Sequence, residues 1–263
     1  IKYHMSDKTQ LGSVDVDVTN GIATITFFHP AHNSLPGKLL AELADAIAEV
    51  GEDPMARVVV LKSAGDRTFC AGASFDELIA IKDFETGKQF FMGFARVINA
   101  MRKCPKFIIG RIQGKAVGGG VGVASATDYC LATKYAAIKL SELAIGIGPF
   151  VVGPAVERKL GASGMQQLAI NATEWRSAAW AQERGLYADV FDTTQALDAA
   201  VDELAAKLAA SNPEAMRQLK TIFWQGTEHW DDLLEARAEA SGQLVLSDFT
   251  VNAINAFKAK AKK

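Results

Sequence analysis

Two glycine-containing segments and one glutamate are the parts of this sequence best suited to chemistry. Residues 69–73 read Phe-Cys-Ala-Gly-Ala, and residues 118–120 are three consecutive glycines. Because residues without bulk let a ligand approach the main chain, each segment can offer backbone N–H groups to a substrate oxygen. Two such donors that converge on one oxygen form an oxyanion hole. With Glu142 to move a proton, the combination predicts an enzyme that makes an enolate from a thioester.

Each of these features also has a purely structural interpretation. The glycines at 118–120 open a run of small residues that extends to Asp128, and this run can form a buried helix packed tightly against a sheet. At the N-terminus of such a helix the unpaired N–H groups favour an oxyanion. A phosphate loop is disfavoured, because the Gly-Lys-Ser/Thr ending of that motif is absent. Residues 69–73 could be an ordinary tight turn, and Glu142 could simply begin a helix.

Hydrophobic periodicity predicts the elements that position these segments. Residues 14–18 alternate with period two, and Asn20-Gly21 is a hairpin signal before a second strand at 22–28. An amphipathic helix is predicted at 36–50, and a mobile charged loop with a short helix at 74–88. Further strands are predicted at 58–61, 107–112 and 129–132, and a further helix at 91–101. Strands that alternate with helices favour an α/β fold with a largely parallel sheet.

From about Val151 the strand pattern fades and helices dominate. They are predicted at 151–160, 164–170, 177–184, 195–210, 214–223 and 229–258. We therefore expect an α/β core over residues 6–195 and a helical C-terminal region over residues 196–263. Residues 1–5 are interpreted as an expression-vector remnant that precedes a native Met5.

Composition and charge exclude several classes of protein. With 263 residues, of which 49% are hydrophobic, the chain can form a sizeable core. A net charge of -2 gives no general attraction for nucleic acid or for an anionic membrane, and no apolar run is long enough for a membrane span. No signal peptide is predicted. Cys70, Cys104 and Cys130 form no CxxC pair and no zinc-spaced cluster, so we expect a reduced, cytoplasmic compartment and no metal. Cys70 is interpreted as a structural thiol, because no histidine lies close in sequence to activate it.

Taken together, the motifs make the sequence similar to the crotonase family, also called the enoyl-CoA hydratase/isomerase family. The resemblance covers nearly the whole chain from about Val14, and it rests on five segments in the family's order. These segments are 28–35 (Phe-His-Pro-Ala-His-Asn-Ser-Leu), 68–73 (Thr-Phe-Cys-Ala-Gly-Ala), 114–122 (Gly-Lys-Ala-Val-Gly-Gly-Gly-Val-Gly), 141–149 (Ser-Glu, then Gly-Ile-Gly-Pro) and 181–186 (Ala-Gln-Glu-Arg-Gly-Leu).

The resemblance implies a set of substrate-binding residues. The backbone N–H groups of Ala73 and Gly119 would hold the thioester carbonyl of an acyl-CoA, and loss of one such donor typically raises the barrier by about 3–4 kcal/mol. The carbonyls of Ala71 and Ala73 would hold the adenine amino group, and Gly118 belongs to the same binding segment. The coenzyme A thioester is a substrate, and neither a resident cofactor nor a metal is implied.

The resemblance also implies a fold and an assembly. The fold is a crotonase-type spiral of ββα units with a helical C-terminal part. Residues 6–195 would bind acyl-CoA, and residues 196–263 would mediate assembly into a homotrimer or a dimer of trimers. No nucleic acid or membrane is expected as a partner.

The sequence departs from the family's hydratases at Gly122. Those enzymes use two glutamates; the second matches Glu142, but the first falls at Gly122, which has no proton to give. Hydration needs one group to activate water and one to protonate Cα, whereas a double-bond shift needs only one base that moves a proton between Cα and Cγ. The single glutamate therefore resembles the isomerase pattern. Two alternatives remain open: a hydratase with a substitute acid, for which Asp76, Glu77 and Glu157 are candidates, and a non-catalytic acyl-CoA-binding protein.

Further expectations concern the surroundings of these residues. Apolar neighbours should raise the pKa of Glu142 if it is a working base. Ser74, which stands where the family usually has Asp, can still cap the following helix. Arg67 and Lys220 could each meet a CoA phosphate, although an isolated charge is more often solvated. The aromatic cluster of Phe90, Phe91 and Phe94 is interpreted as core rather than as part of an acyl pocket.

Overall fold

The computed structural model of the protein describes residues 11–261, with side chains as far as Phe257, so residues 1–5 lie outside the described residues. The strands are β1 (Ser13–Thr19), β2 (Ile22–Phe28), β3 (Val58–Ser63), β4 (Thr68–Cys70), β5 (Ile108–Ile112), β6 (Lys115–Val117), β7 (Tyr129–Thr133), β8 (Ile138–Lys139) and β9 (Asp189–Phe191). The α-helices are α1 (Gly37–Glu52), α2 (Phe75–Ala80), α3 (Phe84–Lys103), α4 (Gly119–Ala126), α5 (Gly153–Ile170), α6 (Ala178–Glu183), α7 (Thr194–Ala209), α8 (Pro213–Phe223), α9 (Trp230–Leu244) and α10 (Asp248–Ala261). A short 3₁₀ helix, Glu142–Ile145, follows β8.

Six strands form the main sheet in the order β1-β2-β3-β5-β7-β9. The β1–β2 hairpin is antiparallel, and each later pair of neighbours is parallel. Asn20 and Gly21 both have positive φ, 53° and 80°, as the tight hairpin turns that match strand twist require. The largely parallel sheet and its intervening helices confirm the predicted α/β fold.

Helices cover both faces of the main sheet, which explains why its inner strands are continuously apolar. On one face, Val58 and Val60 pack in a cluster with Leu197 of α7. On the other face, Val59 and Leu61 belong to the larger core that includes α1 and α3. Successive side chains along β3 therefore point into two different hydrophobic clusters. Helix α7 contributes to the cluster that contains Val58 and Val60.

A second, separate sheet contains the three short strands β4, β6 and β8. Its strands are parallel, and they are only two or three residues long. Such strands are too short to produce a hydrophobic period, and the sequence did not predict them as a sheet. The short strand β9 was missed for the same reason.

The prediction of a mobile loop with a short helix over residues 74–88 is confirmed for the short helix, which is α2, and is wrong for residues 84–88, which belong to α3. Helices α2 and α3 occupy this stretch and leave only residues 81–83 between them. The hydroxyl of Ser74 caps α2 by accepting the Glu77 N–H at 3.3 Å, which confirms the expected cap. The carboxylate of Asp83 caps α3 by accepting the Thr86 N–H at 2.8 Å. The acidic residues that made the stretch look like a loop lie at or near helix N-termini, where the helix dipole favours them.

The remaining helical predictions differ in detail. The two helices predicted at 151–160 and 164–170 form α5, which has a kink at Gly161 where φ is 70° and ψ is 167°. The single helix predicted at 229–258 is divided into α9 and α10 by residues 245–247.

Candidate active site

The three segments that the sequence singles out follow three adjacent strands. Residues 71–73 follow β4, residues 118–120 follow β6, and Glu142 lies three residues after β8. These strands are neighbours in one parallel sheet in the order β4-β6-β8. In open α/β sheets, ligands bind beyond the carboxyl ends of the strands, and this is the edge where all three segments lie.

The two glycine segments approach each other closely at Gly72. A Cβ on Gly72, whose φ is +91°, would lie 3.1 Å from the carbonyl oxygen of Val117 and 3.7 Å from the amide nitrogen of Gly119. Leu35 holds the first segment from its other side: its N–H donates to the Gly72 carbonyl at 2.8 Å, and its carbonyl accepts the Ser74 N–H at 3.2 Å. Glycine is therefore required at position 72 both for the backbone angle and for the close approach.

Two backbone N–H groups at this junction are available to a ligand. Within the described part of the chain, the N–H groups of Ala73 and Gly119 donate no hydrogen bond. Both residues are partly exposed, so a substrate oxygen can reach them. Gly119 is the first residue of α4, where the partial positive charge of the helix N-terminus also favours an anion. The arrangement can hold a negatively charged oxygen.

The carboxylate of Glu142 lies beside this pair of donors. A Cβ on Gly118 would come within 2.9 Å of Glu142 Oε1. The second oxygen, Oε2, is buried and has no hydrogen-bond partner among the described residues. Burial raises the pKa of Glu142 from 4.5 to about 7, in the direction that the sequence predicts. A carboxyl group of this kind can both accept and return a proton near neutral pH.

No space for a second acid exists at Gly122. A Cβ there would lie 2.5 Å from Cγ1 and 2.7 Å from Cβ of Val152, and the next nearest atom is Cδ1 of Ile98 at 3.5 Å. All three atoms are apolar. Gly122 is buried in α4, and Val152 is the residue that precedes α5.

The three candidates for a substitute acid lie elsewhere on the surface. Asp76, Glu77 and Glu157 are all exposed. Glu77 also accepts a hydrogen bond from the Gly37 N–H at 2.8 Å, at the start of α1. The structure therefore brings Ala73, Gly119 and Glu142 together, and it gives the exposed carboxylates no comparable position.

Two aromatic contacts at the site were not predicted. The ring of Phe94 lies directly against Gly119, so that any side chain on that glycine would overlap the ring. Phe94 is 5% exposed, which confirms it as a core residue, but no local pattern indicates that it also forms a wall beside the N–H donor. The rings of Phe257 in α10 and Phe75 in α2 pack with centroids 5.2 Å apart.

Helix α10 also reaches the segment that carries Glu142. The side chain of Phe249 packs against Gly146, whose φ of 84° ends the 3₁₀ helix. Contacts between residues so far apart in sequence leave no local pattern by which they could be found.

The structure corrects the role expected for Lys220 and supports the interpretation of Cys70 as a structural thiol. Lys220, a candidate for a CoA phosphate, is 2% exposed, and its Nζ donates to the carboxylate of Asp128 at 2.6 Å. It is therefore a buried structural charge, whereas Arg67 is exposed. Burial raises the pKa of the Cys70 thiol to about 12, which opposes a role as nucleophile.

Other features of the described residues do not add to the site. An open groove of about 380 Å³ lies between α5 and α9; its lining includes Glu157, one of the candidates for a substitute acid, but neither glycine segment and not Glu142. Among the residues with described side chains, no three His, Cys, Asp or Glu residues are grouped to hold a metal ion. In the same part of the chain, no helix has the length and apolar character needed to cross a membrane.

Comparisons with known proteins identify the family of the chain. Residues 17–262 match the family model described as enoyl-CoA hydratase/isomerase. The chain is 27% identical over 255 residues to a short-chain-enoyl-CoA hydratase of Clostridium acetobutylicum, which covers 96% of this chain and 97% of the relative. It is 26% identical over 250 residues to the peroxisomal Delta(3,5)-Delta(2,4)-dienoyl-CoA isomerase of Arabidopsis thaliana, covering 89% and 88% of the two chains.

A solved structure shows the same fold. The crystal structure of an enoyl-CoA hydratase from Mycobacterium avium is 27% identical, covers 94% of this chain and 96% of that chain, and has a TM-score of 0.83. The predicted crotonase-type α/β fold with a helical C-terminal part is therefore confirmed.

Proposed function

Because the chain belongs to the enoyl-CoA hydratase/isomerase family, we propose that it is an isomerase that moves the double bond of an enoyl-CoA between the β,γ and α,β positions. The observation that carries this proposal is the buried carboxylate oxygen of Glu142 beside the N–H groups of Ala73 and Gly119, which have no partner among the described residues. Acyl-CoA thioesters are the substrates of the family, and the proposal concerns which reaction the site performs on them.

In the proposed reaction, the thioester oxygen accepts hydrogen bonds from the N–H groups of Ala73 and Gly119. Glu142 removes a proton from Cα of a 3-enoyl thioester, and the electrons of that C–H bond spread into a dienolate. The negative charge on oxygen is stabilised by the two N–H dipoles and by the N-terminus of α4. Glu142 then returns the proton to Cγ, which leaves the double bond between Cα and Cβ. One base completes the cycle without net gain or loss of protons.

The raised pKa of Glu142 suits this double role. At a pKa of about 7, neutral pH leaves a substantial share of the group ionised and ready to accept a proton. Its conjugate acid is then strong enough to return the proton to carbon. An exposed carboxylate with an ordinary pKa would be a weaker base for a carbon acid.

The surroundings of Gly122 support isomerisation over hydration. Addition of water needs a second group beside Glu142, and residue 122 faces Val152 and Ile98 rather than a carboxylate. The exposed positions of Asp76, Glu77 and Glu157 favour none of them as a substitute.

For binding, we propose that the carbonyls of Ala71 and Ala73 accept the adenine amino group and that Gly118 lines the thioester site. Gly118 has no side chain between the substrate and Glu142, and Ala71 lies in the same partly exposed segment as Ala73. No metal or resident cofactor is needed, since backbone dipoles meet the enolate charge.

We also propose that residues 6–195 form the acyl-CoA-binding core and that residues 196–263 carry the contacts of a trimer or a dimer of trimers. Several large apolar side chains of this region are exposed in a single chain, which favours burial between subunits. They are Leu219, Ile222, Phe223, Leu244, Leu246, Phe249, Val251 and Phe257. The three free, buried cysteines support a reducing compartment such as the cytoplasm. Light scattering on the purified protein would give the subunit number.

Two spectrophotometric assays test the proposed reaction. The first offers a 3-enoyl-CoA and follows formation of the conjugated 2-enoyl-CoA; the second offers a 2-enoyl-CoA and follows loss of conjugation as water adds. We expect isomerisation without hydration, and we expect Glu142→Gln to abolish it. Glu157→Gln is the matched control, because it makes the same change at an exposed carboxylate outside the site.

The other outcomes have distinct meanings. Full turnover by the Glu142→Gln variant would contradict the assigned base. Hydration by the wild type would mean that another acid takes the role missing at Gly122. Inactivity in both assays would favour a binding protein or a different acyl-CoA reaction.

A further inference from the structure

Val152 occupies the volume into which any side chain at position 122 would project. The two contacts from an added Cβ, 2.5 Å to Val152 Cγ1 and 2.7 Å to Val152 Cβ, are both shorter than carbon atoms tolerate. Ile98 Cδ1, at 3.5 Å, is in ordinary van der Waals contact. Val152 and Ile98 are 4% and 0% exposed, so neither can move aside into solvent.

This volume lies about one helical turn from the glycine that contacts the proposed base. Gly118, which lies against the Glu142 carboxylate, precedes α4, and the N–H of Gly122 donates to the Gly118 carbonyl at 3.3 Å. This hydrogen bond places residue 122 one turn along α4 from Gly118. A carboxylate on residue 122 would therefore start one turn of helix from that contact, and Val152 fills the space into which its side chain would project.

We propose that Val152 is the residue that restricts this site to one-base chemistry. It does so by filling the space that the side chain of a second acid at position 122 would need. The inference rests on the proposed function for the identity of the first base. It goes further by assigning the choice between isomerisation and hydration to a residue at the start of α5 rather than to the missing glutamate alone.

The chemistry defines what the excluded group would do. In hydration, the oxygen of water forms a bond to Cβ while one carboxylate takes a proton from that water. The other carboxyl group, in its acid form, gives a proton to Cα, and the double bond becomes a single bond. Water supplies the added oxygen and both hydrogens in the net reaction, so no other reactant is needed. Both carboxyl groups must reach the same double bond, which the packing of Val152 prevents.

A graded set of variants tests the proposal. Gly122→Glu alone should give no hydration, because the new side chain meets Val152. Gly122→Glu with Val152→Gly removes both offending atoms and should hydrate a 2-enoyl-CoA. Gly122→Glu with Val152→Ala is the matched control, since alanine keeps the Cβ that lies 2.7 Å from the added side chain. Val152 has φ -80° and ψ -19°, which alanine and glycine both adopt without strain.

The role of the new carboxyl group is tested by the double variant Gly122→Gln with Val152→Gly, called the glutamine pair. It has the same shape as Gly122→Glu with Val152→Gly, called the glutamate pair, but no transferable proton. We expect the glutamate pair to hydrate on the order of 100-fold faster than the glutamine pair, as a positioned general acid or base contributes. Thermal melting and CoA-thioester binding establish that both pairs are folded. If the glutamate pair does not fold, the shorter Gly122→Asp with Val152→Gly is compared with Gly122→Asn with Val152→Gly in its place.

The outcomes separate this inference from the proposed function. A folded glutamate pair that hydrates no faster than the glutamine pair overturns the role of Val152, even where the wild type isomerises. Hydration by Gly122→Glu alone also overturns it. Hydration only when both changes are present supports it, even if the wild type fails to isomerise a 3-enoyl-CoA.

Discussion

Gly118 and Glu142 lie directly against each other: the position of a Cβ on Gly118 is 2.9 Å from Glu142 Oε1 and 3.5 Å from the carboxyl carbon. Gly118 also has φ 53° and ψ -117°, a backbone conformation that residues with side chains avoid. Its N–H donates to the carbonyl of Lys139 at 2.9 Å, which fixes this glycine to the strand that leads to Glu142. The proposed base thus rests on a surface that only glycine can provide.

We predict that Gly118→Ala lowers kcat by about 100-fold, because the added methyl group displaces the carboxylate from the substrate. The measurement is the 3-enoyl-CoA assay at saturating substrate. The variant should also lose about 1–3 kcal/mol of stability from the unfavourable backbone angle.

Gly65→Ala separates these two effects. Gly65 has a similarly positive φ of +84°, but no atom lies within 4 Å of an added Cβ. This control should lose stability and keep its turnover. Wild-type turnover in Gly118→Ala would show that the contact does not position the carboxylate.

The site was predictable to the extent that its chemistry lies in short contiguous segments. Residues 69–73, residues 118–120 and Glu142 each have residue types that point to backbone donors or a base. The structure adds the reason for their convergence, which is the parallel sheet β4-β6-β8. Its strands are too short to be recognised by period, so the sequence indicated the candidate residues but not the sheet that brings them together.

The features that the sequence did not predict depend on contacts between distant parts of the chain. Nothing local indicates that Val152 faces Gly122, that Phe94 lies on Gly119, or that Lys220 pairs with Asp128. Lys220 shows the limit clearly: an isolated lysine in a helical pattern is usually solvated, and only the tertiary structure reveals its buried partner. Helical periodicity, by contrast, predicted α1 and α8 closely, although it missed the first turns of α3 and the break between α9 and α10.

The pH dependence of turnover should follow the ionisation of Glu142. Its pKa of about 7 means that the group is mostly protonated at pH 5 and cannot accept a proton from Cα. We expect kcat/KM to rise about tenfold per pH unit below pH 7 and to level off above it, as a single essential base requires. Initial rates between pH 5 and 9 measure this profile. A flat profile across that range would exclude Glu142 as the essential base.

The same ionisation should affect stability with a defined sign. The pKa of Glu142 is about 7 in the folded protein and 4.5 as its ordinary value, so the folded state holds this proton more tightly. The contribution of Glu142 to the free energy of unfolding of the wild type therefore falls as the pH rises from about 4.5 to 7. Each pKa unit corresponds to about 1.4 kcal/mol, which sets the total at about 3 kcal/mol.

Glu142→Gln cannot ionise and should escape this loss. We expect its free energy of unfolding, relative to that of the wild type, to increase between pH 4.5 and 7 and then remain constant. Urea unfolding of both proteins at pH 5 and pH 8 measures the change. An equal difference at the two pH values would mean that the carboxyl group is not desolvated in the folded state.

Asp128 should be among the residues most costly to remove for stability, although it lies outside the site. Its Oδ2 accepts hydrogen bonds from Lys220 Nζ at 2.6 Å and from the Ile108 N–H at 2.7 Å, and its Oδ1 accepts from Trp224 Nε1 at 2.8 Å. Asp128→Ala would leave the buried ammonium of Lys220, the Ile108 N–H and the Trp224 Nε1–H without this partner. We expect a loss of about 3–5 kcal/mol in urea unfolding, as for a broken buried ion pair.

Two comparisons make the prediction for Asp128 specific. Lys220→Met should cost less than Asp128→Ala, because the carboxylate keeps its bonds to Ile108 and Trp224 while methionine fills the place of the lysine stem. Asp192→Ala breaks an exposed pair with Lys134 and should cost less than about 1 kcal/mol. If Asp128→Ala were no more destabilising than Asp192→Ala, the buried pair would not contribute to the fold as its geometry indicates. Because the aspartate joins β5 to α8 through these bonds, its loss should lower stability while the residues around Glu142 keep their positions.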